Sequence, residues 1–403
     1  MDPTSLERAR AMDAADPLAP FRARFAIPDP DLVYLDGNSL GRPPRAAIEA
    51  VERIARSEWP GDLIRGWDRW LDRPLEVGDR LATGVLGAEA GEVAVTDSTT
   101  VNLYRLASAA LDARPDRRAV AIARSEFPTD RYVIEGLAAN RDLTIRWIED
   151  DPIEGFTLAD IDRVLDDDLA LLLLSHVNYR SAAIADVTGI TARVREAGGL
   201  VVWDLSHAAG AVPVELAAAG VDLAVGCTYK YLNGGPGAPA YLYVRRELQA
   251  ELQPPIQGWF AQADQFEMGP AFQRRDGIAG WLTGTPGILG LVAAEAGIAL
   301  SAEAGVTPIR AKGIALTEYL IELHDAWLAP LGCALGSPRD PARRGAHVAI
   351  LHPDAERLTG ALIERAVVPD FRAPDSIRFG CSPLTTSFED VHRGLEALRE
   401  LLA

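Results

Sequence analysis

The 403-residue sequence predicts an α/β protein, a mostly parallel sheet flanked by helices with a smaller α+β domain at the C-terminus. Three observations predict it. Between about residues 90 and 245, apolar strand-like runs alternate with helical patterns, which implies layered β and α units. Three of these runs, LALLLLSHV, GLVVWDL and DLAVGC, are apolar at nearly every position, as strands buried on both faces of a parallel sheet must be. Beyond residue 330 the pattern changes to short strands near HVAILH and SIRFGC and a closing helix, SFEDVHRGLEALRELL.

Taken in order, residues 1–42 form a Pro- and Asp-rich N-terminal segment ending in VYLDGNSLG, a short strand and a Gly/Asn turn. Pro43 and Pro44 open an amphipathic helix over about 45–58. Trp59, Trp67 and Trp70 follow, and taken alone they read as packing residues. A large domain spans 43–290, with EVAVT, RAVAIAR, LTIRWIE, LALLLLSHV, GLVVWDL, DLAVGC and PAYLYV as its strands. Helices such as DVTGITARVREAG (186–198), with Gly at its C-terminal end, supply right-handed crossovers. Ligands on such sheets sit at the carboxyl ends of the strands. Two helices read over 285–327, and 291–329 links the large domain to the small one at 330–403. No internal repeat or low-complexity tract interrupts this order.

Composition excludes several function classes. Lys+Arg 40 against Asp+Glu 58 gives a formal charge of −18, which opposes binding to nucleic acid or anionic lipid. No apolar run approaches the roughly 20 residues needed to cross a bilayer, and the N-terminus lacks a signal-peptide pattern. Three scattered cysteines (Cys227, Cys333, Cys381) suggest neither a disulfide frame nor a metal knuckle, so no metal is expected. The expected setting is the cytoplasm.

Only two of the 40 basic residues are lysines, Lys230 and Lys312. A chain that uses Arg for ordinary positive charge keeps Lys where an amine must lose its proton and attack a carbonyl. Lys230, in DLAVGCTYKYLNGGPG, is the candidate. Lys312, in TPIRAKGIALTEY, reads as a solvated surface residue.

Three elements fall at strand ends. GLVVWDLSHAAGA places Asp204 and His207 after one buried strand, and DLAVGCTYKYLNGGPG places Tyr229 and Lys230 after another. VTDSTTVNLYRLASAAL puts Ser98, Thr99 and Thr100 at a helix N-terminus, where hydroxyls and free N–H groups can hold a phosphate without net positive charge. Each alone has an ordinary reading: a turn-capping Asp, a structural His, a helix N-cap. Together they are the parts a pyridoxal 5′-phosphate enzyme needs: an amine for the aldehyde, a carboxylate for the pyridine nitrogen and a phosphate site. Phe127, in SEFPTD, could stack on the ring.

At this point the sequence resembles the kynureninase family, hydrolases of the pyridoxal phosphate-dependent transferase fold type I, from about Tyr34 to the C-terminus. The resemblance rests on YLDGNSLG (34–41), DSTTVNL (97–103), FPTD (127–130), SHVNYRS (175–181), WDLSHAAGAVPVEL (203–216), GCTYKYLNGGPG (226–237), QGWF (257–260), LTGTPGIL (282–289) and DFRAPDSIRFGCSPL (370–384). It implies that Lys230 is the Schiff-base lysine and Asp204 the partner of the pyridine nitrogen. It implies that Thr99, Thr100, Tyr229, Trp259 and Thr285 form the phosphate and cofactor shell, and that Phe127 stacks. Asp130, Ser175 and His207 lie in further cofactor-contacting motifs. Arg378 matches the arginine that grips the substrate α-carboxylate, a role suited to its fork of donors. Trp67, Gly284 and Thr285 match the aryl pocket of bacterial members that prefer kynurenine.

The activity so implied is hydrolysis of L-kynurenine to anthranilate and L-alanine by Cβ–Cγ cleavage in tryptophan degradation, with 3-hydroxykynurenine the poorer substrate. Lys230 would shuttle protons and Tyr229 would serve as acid–base group. The fold type also implies a homodimer with sites at the subunit interface. Two positions depart from the family pattern: Ala182 stands where Gly is usual, and Thr385 where Tyr is common. The competing reading is another fold type I enzyme, an aminotransferase, decarboxylase or cysteine desulfurase. A desulfurase needs a thiolate over the cofactor, and Cys381, beside Arg378 on a strand pattern, is expected to be buried and structural instead. A non-catalytic, cofactor-carrying regulator would need a basic DNA-binding arm, which is missing.

Overall fold

The computed structural model describes residues 2–403. Its main sheet contains β2 (Val93–Val95), β3 (Ala119–Ala123), β4 (Thr144–Ile148), β5 (Leu169–Ser175), β6 (Leu200–Asp204), β7 (Leu223–Gly226) and β8 (Tyr241–Val244). These are the seven apolar runs read from the sequence. Their order across the sheet is β2-β8-β7-β6-β5-β3-β4. β4, β3, β5, β6 and β7 pair in parallel, and β8 runs antiparallel to both its neighbours. β5 shows why its run is apolar throughout. Leu172 and Leu174 enter the core on one face, Leu171 and Leu173 the core on the other, and all seven of its residues are buried.

The helix expected over 45–58 is α-helical only from Arg45 to Arg53 and continues as a wider π turn, Ile54–Glu58. Pro60 has no N–H with which to continue the regular ladder. The helix expected over 186–198 spans Val187–Glu196, capped by the Asp186 carboxylate, and Gly198 turns the chain at φ +81. Two helices follow the main sheet, Ile288–Ala304 and Val306–Leu323. Among the described residues no single helix is long and apolar enough to cross a membrane.

A second, antiparallel sheet has the order β12-β13-β10-β9, built from β9 (Ala334–Leu335), β10 (His347–Leu351), β12 (Asp370–Arg372) and β13 (Ser376–Gly380). The helix Phe388–Leu402, opened by a Ser387/Asp390 capping box, shares its core through Val391, Leu395 and Leu398. The N-terminal segment joins this half of the chain. β1 (Val33–Tyr34) pairs in parallel with β11 (Val367–Val368), and Ala9, Val33 and Leu35 share a core with Val348, Ile377 and Leu395.

That packing corrects one expectation. Lys312 is not solvated: it is buried, and its Nζ lies 2.6 Å from the Asp16 carboxylate, itself enclosed. The N-terminal segment crosses the helix Val306–Leu323 and brings Asp16 onto it, a contact that local sequence pattern could not show.

Candidate active site

β5 and β6 run side by side with Ser175 opposite Asp204, so both side chains stand at the carboxyl edge of the sheet. Asp204 is the last residue of β6, and its Oδ1 accepts from the Ser206 N–H at 2.8 Å, which fixes the turn into His207. Lys230 follows β7 by one short loop and is half-buried. Gly41, the end of the VYLDGNSLG motif, holds that loop: its N–H donates to the Tyr229 carbonyl at 2.8 Å. A Cβ at Gly41 would lie 2.3 Å from the Lys230 carbonyl oxygen, so only glycine permits the approach. The same turn places the Asn38 carbonyl 3.2 Å from His207 Nε2.

These residues enclose a cavity of about 230 Å³. Thr99, Thr100, Phe127, Asp130, Ser175, Asp204, His207, Tyr229 and Lys230 all line it, so nine of the sequence-predicted residues come together. The Lys230 amine is 3.3 Å from His207 Nε2 and 5.9 Å from the centre of the Phe127 ring. Phe127 is held edge-on by Tyr179, with centroids 5.3 Å apart. At the far wall the helix Thr99–Asp112 begins, capped by Ser98, whose hydroxyl accepts from the Val101 N–H. The first N–H groups of a helix have no partner within it and carry its positive dipole end.

Five predicted residues lie outside this cavity. Gly284 and Thr285 line an adjoining one that shares Asp97 and Gly237 with it. Trp67 packs between Trp70 and Phe260, and Trp259 stands 42% exposed against Phe260 and Phe266. Arg378 is enclosed. Asp370 engages its Nε at 2.7 Å and its Nη2, the Tyr179 carbonyl accepts from Nη1, and Ser39 Oγ is 3.5 Å from Nη2.

Burial governs the electrostatics. It raises the Asp130 carboxyl well above the usual range, with further push from Asp204 and Glu126. It lowers His207 well below its ordinary value, helped by the neighbouring Lys230 cation, so the imidazole is neutral. The Tyr229 phenol is raised by burial and is therefore a proton donor at neutral pH.

Sequence reasoning missed several neighbours of this cavity. Asp97, at φ +52, takes hydrogen bonds from Thr283 and from Arg105, whose buried side chain lies beneath the helix start. Glu126 is buried against Ser175. His347 is buried 5.8 Å from the His207 ring, and among the described residues neither of its nitrogens has a hydrogen-bond partner. Asp97 opens the DSTTVNL motif, but nothing local in the sequence assigns it a partner. An acidic residue directly before the FPTD aromatic was the available signal for Glu126.

The donor set suits pyridoxal phosphate. A lysine amine, a carboxylate on the adjacent strand end, an aromatic face and a helix N-terminus open into one space, and the buried Asp130 Oδ2 has no hydrogen-bond partner among the described residues. The desulfurase reading lacks its nucleophile: Cys381 is fully buried and its thiol is pushed up to about 12 by that burial.

The aminotransferase class-V family model matches residues 79–346, and the kynureninase C-terminal domain model matches 309–398. The chain is 42% identical to a kynureninase of Pseudomonas fluorescens, covering 97% of this chain and 94% of that one. It is 44% identical to a kynureninase of Burkholderia pseudomallei strain 1106a, covering 98% and 95%. Among solved structures it resembles an apo cysteine desulfurase of Thermococcus onnurineus, with TM-score 0.80 at 19% identity over 92% of this chain and 94% of that one. That likeness shows the fold type I architecture alone. Near-full-length identity above 40%, carried by a chain whose strand ends bring a lysine and an aspartate into one cavity, makes this protein a member of the kynureninase family.

Proposed function

We propose that this chain hydrolyses L-kynurenine to anthranilate and L-alanine in tryptophan degradation, with pyridoxal 5′-phosphate held in the cavity described above. The observation that carries the reading is the convergence of Lys230, Asp204 and the helix start at Thr99 on one space, in a member of the kynureninase family. When bound, the coenzyme supplies an electron sink that stabilises negative charge next to its imine carbon.

The chain's own residues do the rest. Lys230 would hold the coenzyme's aldehyde and, as a free amine, would move protons at the substrate Cα. Nε2 of the neutral His207 ring lies 3.3 Å from that amine and 3.2 Å from the Asn38 carbonyl, so its tautomer decides between accepting from the amine and donating to the carbonyl. Asp204 would hold the ring nitrogen in its protonated form, and Phe127 would stack on the ring. Thr99, Thr100 and the helix dipole hold the phosphate. Tyr229, a protonated phenol, is placed to deliver a proton as the Cβ–Cγ bond breaks. Arg378 takes the substrate α-carboxylate. Asp370 and the Tyr179 carbonyl fix its plane and leave one Nη1 hydrogen and the long Ser39 contact for that ligand.

The remaining aryl-pocket and cofactor-shell residues, Trp67, Trp259, Gly284 and Thr285, act in this reading at the interface of a homodimer in the cytoplasm. Exposed Trp259, Phe266 and Met268 support a covered surface there, since apolar side chains grouped this way are costly in water. The large domain is 43–290, its link 291–329 and the small domain 330–403.

Adding L-kynurenine to the yellow, coenzyme-loaded protein should produce anthranilate fluorescence and one equivalent of alanine. No anthranilate from fully loaded protein sinks the reading. Equal or better kcat/KM with 3-hydroxykynurenine sinks the stated preference.

A further inference from the structure

Glu126 lies between β3 and the helix Pro128–Arg141 and is 1% exposed. Both of its carboxyl oxygens face one residue. Oε1 accepts from the Ser175 N–H at 2.8 Å, and Oε2 is hydrogen-bonded to the Ser175 hydroxyl. Ser175 is also a cavity residue and stands opposite Asp204. Three acids thus share one buried region, Asp130 and Asp204 on the cavity wall and Glu126 behind Ser175.

Hydrogen counting then separates two states. Only one hydrogen fits between Ser175 Oγ and Glu126 Oε2. If Glu126 is ionised, that hydrogen is the serine's own, and Ser175 has none left for the cavity. If Glu126 is protonated, the acid supplies it, and the Ser175 hydroxyl is free to donate into the cavity. The second state also removes a negative charge from beside Asp204.

We propose that Glu126 is a positioning residue for the coenzyme: it binds as a protonated acid, turns the Ser175 hydroxyl towards the cavity, and leaves Asp204 to carry the negative charge that faces the ring. This rests on the assignment of Asp204 to the ring nitrogen. The charged and titratable groups around Glu126 are Asp204 at the end of β6, Asp150 after β4 and Asp130 on the helix Pro128–Arg141, which in turn faces Lys230. Burial, abetted by Asp204 and Asp150, pushes Glu126 up to about 8. The sign follows: the binding-competent form is full below that value and is lost as pH rises through it.

The test is the affinity of wild type, Glu126→Gln, Ser175→Ala and Asp204→Asn for added pyridoxal phosphate, read by absorbance from pH 6.5 to 9.5. Gln donates to Ser175 Oγ and accepts its N–H at every pH, as the protonated acid does. Wild-type affinity should weaken about tenfold more than that of Glu126→Gln between pH 7 and 9, because one proton is taken up with the coenzyme. Lys230 is common to both proteins, so its contribution cancels from the difference. In a Ser175→Ala background the same Glu126→Gln change should shift the profile far less. Identical alkaline weakening in wild type and Glu126→Gln overturns the proposal, and so does a full shift that survives Ser175→Ala. Asp204→Asn tests the underlying assignment separately: unchanged affinity and spectrum at pH 7 removes Asp204 from the ring nitrogen without reference to the slope.

Discussion

Replacing Lys312 with Met removes the cation from a fully enclosed pair. The Lys312 Nζ and Asp16 Oδ2 atoms are 2.6 Å apart, and the two side chains are 6% and 3% exposed. The variant leaves the Asp16 carboxylate buried with no counter-charge, and breaking such a pair from one side costs about 3–5 kcal/mol. At roughly 2.1 cal/mol/K of unfolding entropy per residue, a chain of this length should lose about 4–6 °C in Tm. Asp16→Asn in the same chain removes the orphaned charge while keeping an oxygen for the Leu18 N–H, which Asp16 Oδ1 now accepts at 2.9 Å. The double variant should therefore recover to within about 1 kcal/mol of wild type. The assay is guanidinium unfolding of the coenzyme-loaded protein, with thermal melts alongside. A loss below about 1 kcal/mol for Lys312→Met, or a double variant as unstable as the single, refutes the reasoning.

Two further outcomes follow from the site. Gly41→Ala pushes a methyl group to 2.3 Å from the Lys230 carbonyl and 2.9 Å from Asn233 Cα. The loop carrying Lys230 must shift, at about 1–3 kcal/mol, so coenzyme affinity should fall about tenfold, and an unchanged titration would contradict this. Cys381→Ala trims a fully buried side chain and should cost about 1–2 kcal/mol of stability while kynurenine turnover stays within about twofold. Loss of turnover in a fully loaded, folded Cys381→Ala protein would restore the thiol to the chemistry.

The sequence disclosed whatever short-range pattern encodes. Buried parallel strands must be apolar on both faces, so β5, β6 and β7 are visible as runs, and the residues just beyond them, Asp204, Tyr229 and Lys230, inherit their positions from the sheet. The Ser98 cap of the Thr99 helix is likewise local. Ala182 shows the limit of that reach. Its place in a family glycine position was legible, but not that it sits at φ +67 with its side chain fully buried, a left-handed conformation that costs an ordinary residue about 1–2 kcal/mol. Partners distant in sequence were hidden altogether. Lys312 finds Asp16, Arg378 finds the Tyr179 carbonyl, and Glu126 finds Ser175, and no periodicity joins the members of these pairs. Lys312, read as a solvated surface residue, is instead a compact ammonium in a tight pocket: its rarity in an Arg-rich chain did mark a special demand, but its partner lies in the N-terminal segment, beyond local pattern.

A chain of formal charge −18 that must hold two anionic groups, a phosphate and an α-carboxylate, cannot rely on its overall field. Near each proposed anchor it keeps an arginine tied to its own carboxylate: Arg105 on Asp97 beneath the helix start, and Arg378 on Asp370. Each pair is close to neutral, so little net charge is buried before the ligand arrives. What remains for the ligand is directional: helix N–H groups and threonine hydroxyls at one end, the unused edge of a guanidinium at the other. The buried acids follow the same logic with the sign reversed. Burial raises both Glu126 and Asp130, and in the proposal above Glu126 meets the coenzyme as a protonated acid, so less negative charge crowds the Asp204 side of the cavity. Selectivity for an amino acid bound through a cationic ring thus rests on where protons are held, and the alkaline limb of coenzyme affinity is where that arrangement should first fail.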